Sequence, residues 1–478
     1  MKGAAAEIAP QAEGLKPGLG LFDSVTLVAG SMIGSGIFIV AADIVRQVGS
    51  PAALLAVWIV SGLMTIAGAL AYGELAAMMP EAGGQYVYLR EAYGGLWAFL
   101  FGWTLLLVIQ TGTIAAVAVA FARFLGVMWP VLGSSVWLGV GSFGLSGERV
   151  GAILVIAFLT ITNLRGLNVG RMVQNWFTIA KILSLLLIII VGCVLFPNVA
   201  AMRVNFGSAH TFFSSGTPKG PFLAVFGAAM VGGLFSADAW ASVTFAASEI
   251  RNPRRDLPRA LAFGTGVVIL LYVLTNLAYL LELPAAGVAG ASDVFSRGIA
   301  HATSDRVAAA AMQVVWGGAG ASFTAILVMI SAFGCANGLI LTGARVIYAM
   351  AEDRVFFAAA RRLNGASVPA FALIIQGTWA AVLAVSGTYS DLLDYVIFAQ
   401  LLFYVLTVGA VFVLRQTRPA APRPYRAWGY PIVPAAYMVA AAALMIDLLV
   451  MKPRFTWPGL LIVLTGVPIY FMTTRKRP

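Results

Sequence analysis

The sequence predicts an all-α polytopic membrane protein, and three observations carry that expectation. Only 10% of the 478 residues are Asp, Glu, Lys or Arg, where a soluble domain carries roughly 25%. Hydrophobic residues make up 60% of the chain, and they fall in continuous runs of roughly 20, the length that crosses a bilayer as a helix. Those runs do not alternate with polar residues, as barrel strands facing lipid do over about ten positions. A soluble enzyme, a disordered chain and a secreted disulfide scaffold are excluded together. The net charge of +11 fits basic residues placed in cytoplasmic loops for topology better than nucleic-acid binding. Cys193 and Cys335 both sit in apolar runs and only His210 and His301 are present, so neither a disulfide framework nor a Cys- or His-built metal site is expected.

Twelve spans follow in order: 22–46, 52–79, 95–123, 149–165, 171–196, 220–248, 259–283, 318–350, 370–388, 391–415, 431–450 and 456–473. Residues 1–20 carry Lys2, Glu7, Glu13 and Lys16 with no apolar core ahead of a small-residue cleavage site, so no signal peptide is expected and span 1 is retained. Lys and Arg test the count independently. With both termini cytoplasmic, twenty of the thirty fall inside and nine outside, leaving Lys181 within the membrane. The segment from Pro80 to Gly94 mixes aromatic and charged residues at helical spacing and reads as an amphipathic helix on the cytoplasmic surface. Residues 285–317, interrupted by Gly, Asp and Arg, read as short outer helices capping the bundle.

Span 1 contains Gly30-Ser-Met-Ile-Gly-Ser-Gly-Ile-Phe38, three glycines in seven residues of an otherwise uninterrupted helix. Each Gly costs a helix about 1 kcal/mol relative to Ala, so the cluster permits unwinding. Unwound backbone survives at membrane depth only where it lines a cavity. A half-helix starting near Gly36 then presents its N–H groups to that cavity, which suits a carboxylate. Glycines that merely allow close helix packing are the competing explanation. Span 6 carries a second interruption, Gly232-Gly-Leu-Phe-Ser-Ala-Asp-Ala-Trp240. Breaks in the first helix of spans 1–5 and in the first of spans 6–10 are the pattern of two inverted five-helix repeats with the substrate between them.

These motifs, with Ala71-Tyr-Gly-Glu-Leu75, Phe177-Thr-Ile-Ala-Lys181, Glu249-Ile-Arg-Asn-Pro-Arg-Arg-Asp-Leu-Pro258, Ser331-Ala-Phe-Gly-Cys-Ala-Asn337 and Arg423-Pro-Tyr-Arg-Ala-Trp-Gly-Tyr-Pro431, resemble the amino acid-polyamine-organocation superfamily. Within it the chain resembles the L-type amino-acid transporter family and its bacterial relatives. The resemblance implies five-plus-five inverted repeats followed by two C-terminal helices. The division is then a cytoplasmic segment 1–20, a first repeat 21–197, an outer loop 198–219, a second repeat 220–415, a cytoplasmic loop 416–430, helices 11 and 12 over 431–473, and a tail 474–478. It further implies that a substrate carboxylate meets Gly34, Ser35 and Gly36, that the ammonium meets carbonyls near Met32, Phe235 and Ser236, that Phe235 gates the substrate, and that Ile33 belongs to the same substrate site. Two departures stand out. Ala237-Asp-Ala239 replaces the Tyr and Gly frequent around the second break. No Cys lies between residues 124 and 149, where members with a disulfide-linked heavy chain carry one, so no such partner is implied and a monomer suffices.

Lys181 lies ten residues into span 5, and an intramembrane Lys is costly enough, at about 2.5–3.5 kcal/mol, to point to function. The resemblance places its ammonium where sodium-coupled relatives bind Na+, bridging the first break to span 8 through carbonyls or Ser331. Sodium-independent transport follows, with Lys181 either a fixed structural cation or a proton-coupling group. Asp238 at the second break either bonds free N–H groups of the broken helix or meets a basic group or the substrate ammonium. Glu74 and Glu249 read as ion-paired, with Arg251, Arg254 and Arg255 in reach. Asp43, Glu282 and Asp447 read as solvated near outer ends. Phe333, Cys335 and Asn337 of span 8 are expected to face span 1. Gln400 of span 10 falls where members often place an Asn near the substrate side chain; for these residues a packing role remains open.

The sequence therefore reads as an inner-membrane amino-acid permease without cofactor or metal, cycling by alternating access around a midplane site. The small lining residues Ser236, Ala237, Ala239, Cys335 and Ala336 favour a neutral L-amino acid, moved by exchange or proton symport. A cationic amino acid or polyamine using Asp238 is the alternative, and a channel or non-transporting sensor a remote one. No phosphate loop, metal cluster or nucleophile–His pair suggests an enzyme.

Overall fold

The computed structural model describes residue 15 and residues 17–129, 136–140, 143–214, 220–386 and 389–475. Most of the expected segment 1–20 and part of the tail 474–478 therefore lie outside the described residues.

Helices dominate. Span 1 is interrupted, running Leu21–Met32, then Gly36–Ile39, which continues through Val40 into Ala41–Val48. Span 2 is Pro51–Met78. Span 3 runs Gly95–Thr104, a π-turn Leu105–Ile109, then Gln110–Met128. Span 4 is Gly147–Leu164, and span 5 is Leu167–Ile190 with a π-turn Val191–Leu195. Span 6 divides into Phe222–Ser236 and Trp240–Glu249, and span 7 is Pro253–Glu282. Spans 8 to 12 are Val307–Glu352, Ala370–Ser386, Tyr389–Thr417, Ile432–Met451 and Pro453–Arg475. Among the described residues eleven helices are long and apolar enough to cross a membrane, and Ala370–Ser386 is a shorter apolar helix where the ninth span is expected.

Local chemistry explains the boundaries. Ser50 Oγ accepts from the Ala53 N–H at 3.3 Å and Pro51 opens span 2, where its missing N–H costs nothing. Ser146 caps span 4 through the Arg149 N–H. Gly317, at φ 62° and ψ −150°, interrupts the long eighth helix at the point where the sequence begins the span.

The packing is reciprocal between the two halves. Span 1 lies on span 7 and span 6 on span 2, while span 3 touches spans 9 and 10 and span 8 touches spans 4 and 5. Spans 2 and 7 approach closely at Gly62, where a Cβ would run into Ile269. The large exposed side chains, among them Leu63, Leu154, Trp176, Leu270 and Val439, face outward as a lipid-solvated bundle requires.

A two-stranded antiparallel hairpin, β1 (Val136–Val140) with β2 (Phe143–Ser146), precedes span 4, and the loop after span 5 carries two short helices, Val199–Phe206 and Ala209–Ser214. Three side-chain environments differ from expectation. The helix expected within Pro80–Gly94 forms over Gln85–Tyr93, but Gln85, Tyr86, Val87, Tyr88 and Leu89 are buried. It packs against span 10 and the start of span 3. Its aromatic residues serve protein packing rather than a lipid surface. Glu282 is buried instead of solvated and Asp447 is half-buried; among the described residues neither Glu282 carboxylate oxygen nor Asp447 Oδ2 has a hydrogen-bond partner.

Candidate functional site

The break in span 1 falls at Ile33, Gly34 and Ser35, with Ile33 leaving helical geometry at ψ 88°. Unwinding removes the helical donors from five consecutive carbonyls, and each receives a side-chain donor instead. Lys181 Nζ donates to Gly30 O at 2.6 Å and to Ile33 O at 2.9 Å. Cys335 Sγ donates to Ser31 O at 2.9 Å, and Tyr272 Oη to Met32 O at 2.9 Å. Ser331 Oγ lies 3.1 Å from both Ile33 O and Gly34 O. Spans 5, 7 and 8 thus supply the bonds that the helix gives up, which is what allows irregular backbone at membrane depth.

The glycines divide their labour. Gly30 lets span 5 approach, since a Cβ there would collide with Gln174 and Thr178. Gly34 and Gly36 keep the break narrow. A Cβ on Gly34 would lie 3.2 Å from Cys335 Sγ, and one on Gly36 would run into Ser236 Oγ, with Ser236 Cβ at 2.9 Å. Close packing and unwinding therefore both hold, at different glycines of one motif.

The second break occupies Ala237, Asp238 and Ala239. Ala239 sits at φ 67°, ψ 3°, a left-handed conformation that a Cβ disfavours. Asp238 Oδ1 accepts from Tyr404 Oη at 2.7 Å, and no basic side chain pairs with it among the described residues. Tyr272 Oη also lies 2.9 Å from Ser236 O, so one phenol on span 7 stands between the carbonyls of both breaks. Its single proton serves one of them at a time, and each carbonyl keeps a second lone pair.

Two narrow cavities meet at Asp238. The first is lined by Ser31, Met32, Gly34, Ser35, Gly36, Thr113, Val117, Phe235, Ser236, Asp238, Ala239 and Cys335. Its volume is about 10 Å3, room for about one water. The second, about 20 Å3, is lined by Thr65, Leu234, Asp238, Trp240, Ile397, Gln400, Leu401, Tyr404 and Tyr437. Trp240 and Tyr404 stack there at 4.9 Å, with Tyr72 edge-on to Trp240 at 4.7 Å. Gln400 Oε1 is buried without a partner among the described residues.

The structure thus brings together Met32, Gly34, Ser35, Gly36, Phe235, Ser236 and Asp238. Ile33 contributes its carbonyl to Lys181 and Ser331, and Gln400 joins through the second cavity. Phe333 is placed elsewhere: its ring lies 4.8 Å from Phe177, 6.0 Å from Phe158 and 6.3 Å from Phe121, an aromatic cluster of spans 3, 4 and 5. Asn337 likewise bonds Asn163, Gly170 and Gln174 of spans 4 and 5. Sequence reasoning missed Tyr272, Tyr404, Thr113 and Val117. A phenol in an apolar run needs a polar partner, and that signal was present at Tyr272 within Val267-Val-Ile-Leu-Leu-Tyr272.

Glu74 and Glu249 are paired, though not with the arginines expected. Glu249 binds Arg345 at 2.7 and 3.2 Å, both side chains 1% exposed, and Arg345 also donates to Leu341 O. Glu74 binds Arg415 at 2.7 Å and Arg423 at 3.3 Å and accepts from the Ala427 N–H. The expected Arg251, Arg254 and Arg255 are exposed, whereas Arg345, Arg415 and Arg423, which hold Glu249 and Glu74, are largely withdrawn from solvent. On Gln85–Tyr93, Arg90 binds Asp353 at 2.9 Å, and Glu91 accepts from Arg418 at 2.6 Å and Arg90 at 3.0 Å. Burial alone would raise the Glu91 carboxyl, but those two arginines outweigh it and hold it below its ordinary value.

Similarity to known proteins runs along nearly the whole chain. Residues 19–472 match the family model described as amino acid permease. The serine/threonine exchanger SteT of Bacillus subtilis is 29% identical, over 97% of this chain and 98% of its own length. The human b(0,+)-type amino acid transporter 1 is 29% identical over 97% of this chain and 89% of its own. The mouse large neutral amino acids transporter small subunit 2 is 30% identical over 96% and 81%.

Proposed function

The chain belongs to the amino acid permease family, and from that premise we propose that it carries neutral L-amino acids across the inner membrane by alternating access around the two helix breaks. The observation that carries this reading is the meeting of the breaks at Gly36 and Ser236 around one cavity. The half-helix 36–48 begins at that cavity, where its N-terminal dipole favours a carboxylate. The Met32 and Ser236 carbonyls, each with a lone pair to spare beside Tyr272, suit an ammonium. The first cavity admits about one water in this conformation, so substrate entry requires the breaks to part.

Transport is sodium-independent in this reading, because the Lys181 ammonium already supplies a cation to the carbonyls of the first break. The mechanism is exchange or proton symport. The reciprocal packing of spans 1–5 and 6–10 supports a division into repeats 21–197 and 220–415, followed by helices 11 and 12. The charge distribution supports cytoplasmic termini. Without a Cys between residues 124 and 149, a heavy chain joined there by a disulfide is not part of the proposal.

One observation favours a cationic substrate as a second reading. Asp238 has no basic partner among the described residues, and Gln400 Oε1 faces the same cavity unbonded. Labelled neutral and cationic amino acids offered to purified protein in liposomes separate the two. Saturable uptake of Ala, Ser or Leu that survives Asp238→Asn supports the neutral reading. Uptake confined to Lys or Arg and abolished by Asp238→Asn supports the second, and non-saturating flux contradicts both.

A further inference from the structure

A basic groove lies where span 7 enters the bilayer, well away from the two breaks. Pro80, Arg251, Asn252, Pro253, Arg254 and Arg255 line a groove of about 330 Å3. It is therefore open where the two central cavities are closed. Arg255 pairs with the buried carboxylate of Asp256 at 2.8 Å. Arg251, Arg254 and Arg259 are exposed and have no carboxylate partner among the described residues.

Below the groove, span 7 presents one outward ridge. Arg255, Arg259, Phe263, Val267 and Leu270 recur at intervals of four, four, four and three, the spacing of a single helix face. All five are exposed, Phe263 by 63% and Leu270 by 60%. From Arg259 to Leu270 the helix rises about 16 Å, close to half of the roughly 30 Å hydrocarbon core. The ridge thus spans one leaflet, with its cationic end at the headgroup level. Topology requires only that basic residues lie on one side of the membrane. It does not require three of them to converge on one groove at the head of a leaflet-length apolar ridge.

We propose that this groove binds the phosphate headgroup of an anionic phospholipid, whose acyl chain lies along Phe263, Val267 and Leu270. The site has a place in the fold that gives occupancy a consequence. Arg251 N–H donates to Leu19 O, and Glu249 O accepts from the N–H groups of Gly18 and Leu19, while the Glu249 carboxylate is held by Arg345 of span 8. A bound headgroup sits beside the joint linking the chain before span 1 to spans 6, 7 and 8.

Native mass spectrometry of the purified full chain, titrated with phosphatidylglycerol or phosphatidylcholine, reads the preference without relying on transport. The wild type is expected to retain phosphatidylglycerol over phosphatidylcholine. The triple variant Arg251→Gln, Arg254→Gln, Arg259→Gln, which leaves the Arg255–Asp256 pair intact, is expected to lose that preference by about fivefold or more. The charge-matched control Arg361→Gln, Arg362→Gln, Arg426→Gln is expected to keep it. Arg254→Gln alone, at an exposed position, is expected to show a smaller loss in the same direction and guards against misfolding of the triple variant. No lipid preference in the wild type, an unchanged preference in both groove variants, an equal loss in the control, or displacement of phosphatidylglycerol by inorganic phosphate would each overturn the proposal.

Discussion

Replacing Tyr272 with Phe removes one oxygen from the point where the two breaks are joined. The phenol lies 2.9 Å from Met32 O and 2.9 Å from Ser236 O, and its ring meets Trp58 edge-on at 5.4 Å. Phe keeps the ring and that contact, so the change isolates the hydroxyl. Met32 O has lost its helical donor to the break, and an orphaned buried acceptor costs about 1–3 kcal/mol. That corresponds to a shift of roughly 5- to 150-fold in the balance between the ordered break and its alternatives. A concentration series of labelled amino-acid uptake in liposomes, with protein content matched, is expected to give a KM raised by about tenfold. The melting temperature in detergent is expected to fall with it. Wild-type KM and melting temperature in Tyr272→Phe would refute the role assigned to the phenol.

Three further outcomes follow from the same geometry. Ala239→Gly relieves the left-handed strain at φ 67°, worth about 1–2 kcal/mol against about 0.5–1 kcal/mol of added chain freedom, so the melting temperature should rise; a fall contradicts the strain. Arg345→Met strands the Glu249 carboxylate where both partners are 1% exposed. Thermal unfolding should register a loss of about 3–5 kcal/mol, with much of it recovered on adding Glu249→Gln. Glu91, whose carboxyl is held below its ordinary value by Arg418 and Arg90, stabilises the fold above the unfolded glutamate range, about pH 4.3. That contribution disappears as the pH falls through the lowered folded value. The melting-temperature gap between wild type and Glu91→Gln should therefore be constant near neutrality and close in acid, and a gap that closes on raising the pH contradicts the assignment.

Periodicity and composition made the spans legible because a bilayer imposes a length and an apolarity that few other environments demand. Clustered glycines marked the first break, and a glycine pair with an acid marked the second, because unwound backbone leaves a compositional trace. Side-chain partners left a weaker one. Glu74 and Glu249 were recognisable as paired acids, but Arg415, Arg423 and Arg345 come from distant spans whose rotation no local pattern specifies. Phe333 failed for the same reason. Only two positions separate it from the break-facing Ser331 and Cys335, yet on a helix that turns the ring toward Phe177. Glu282 departs from the expectation because nearness to a helix end does not guarantee solvent: the residue is 1% exposed.

The central claim is that a fixed ammonium, Lys181, takes the place of a transported cation at the first break while the breaks carry a neutral amino acid. Labelled amino-acid uptake into liposomes, with and without sodium, internal unlabelled substrate and an imposed pH gradient, tests it in wild type and Lys181→Ala. Wild-type uptake is expected to ignore sodium and to require internal substrate or the pH gradient, with severe loss in Lys181→Ala, which orphans Gly30 O. Sodium-dependent wild-type uptake, or undiminished transport in Lys181→Ala, would contradict it.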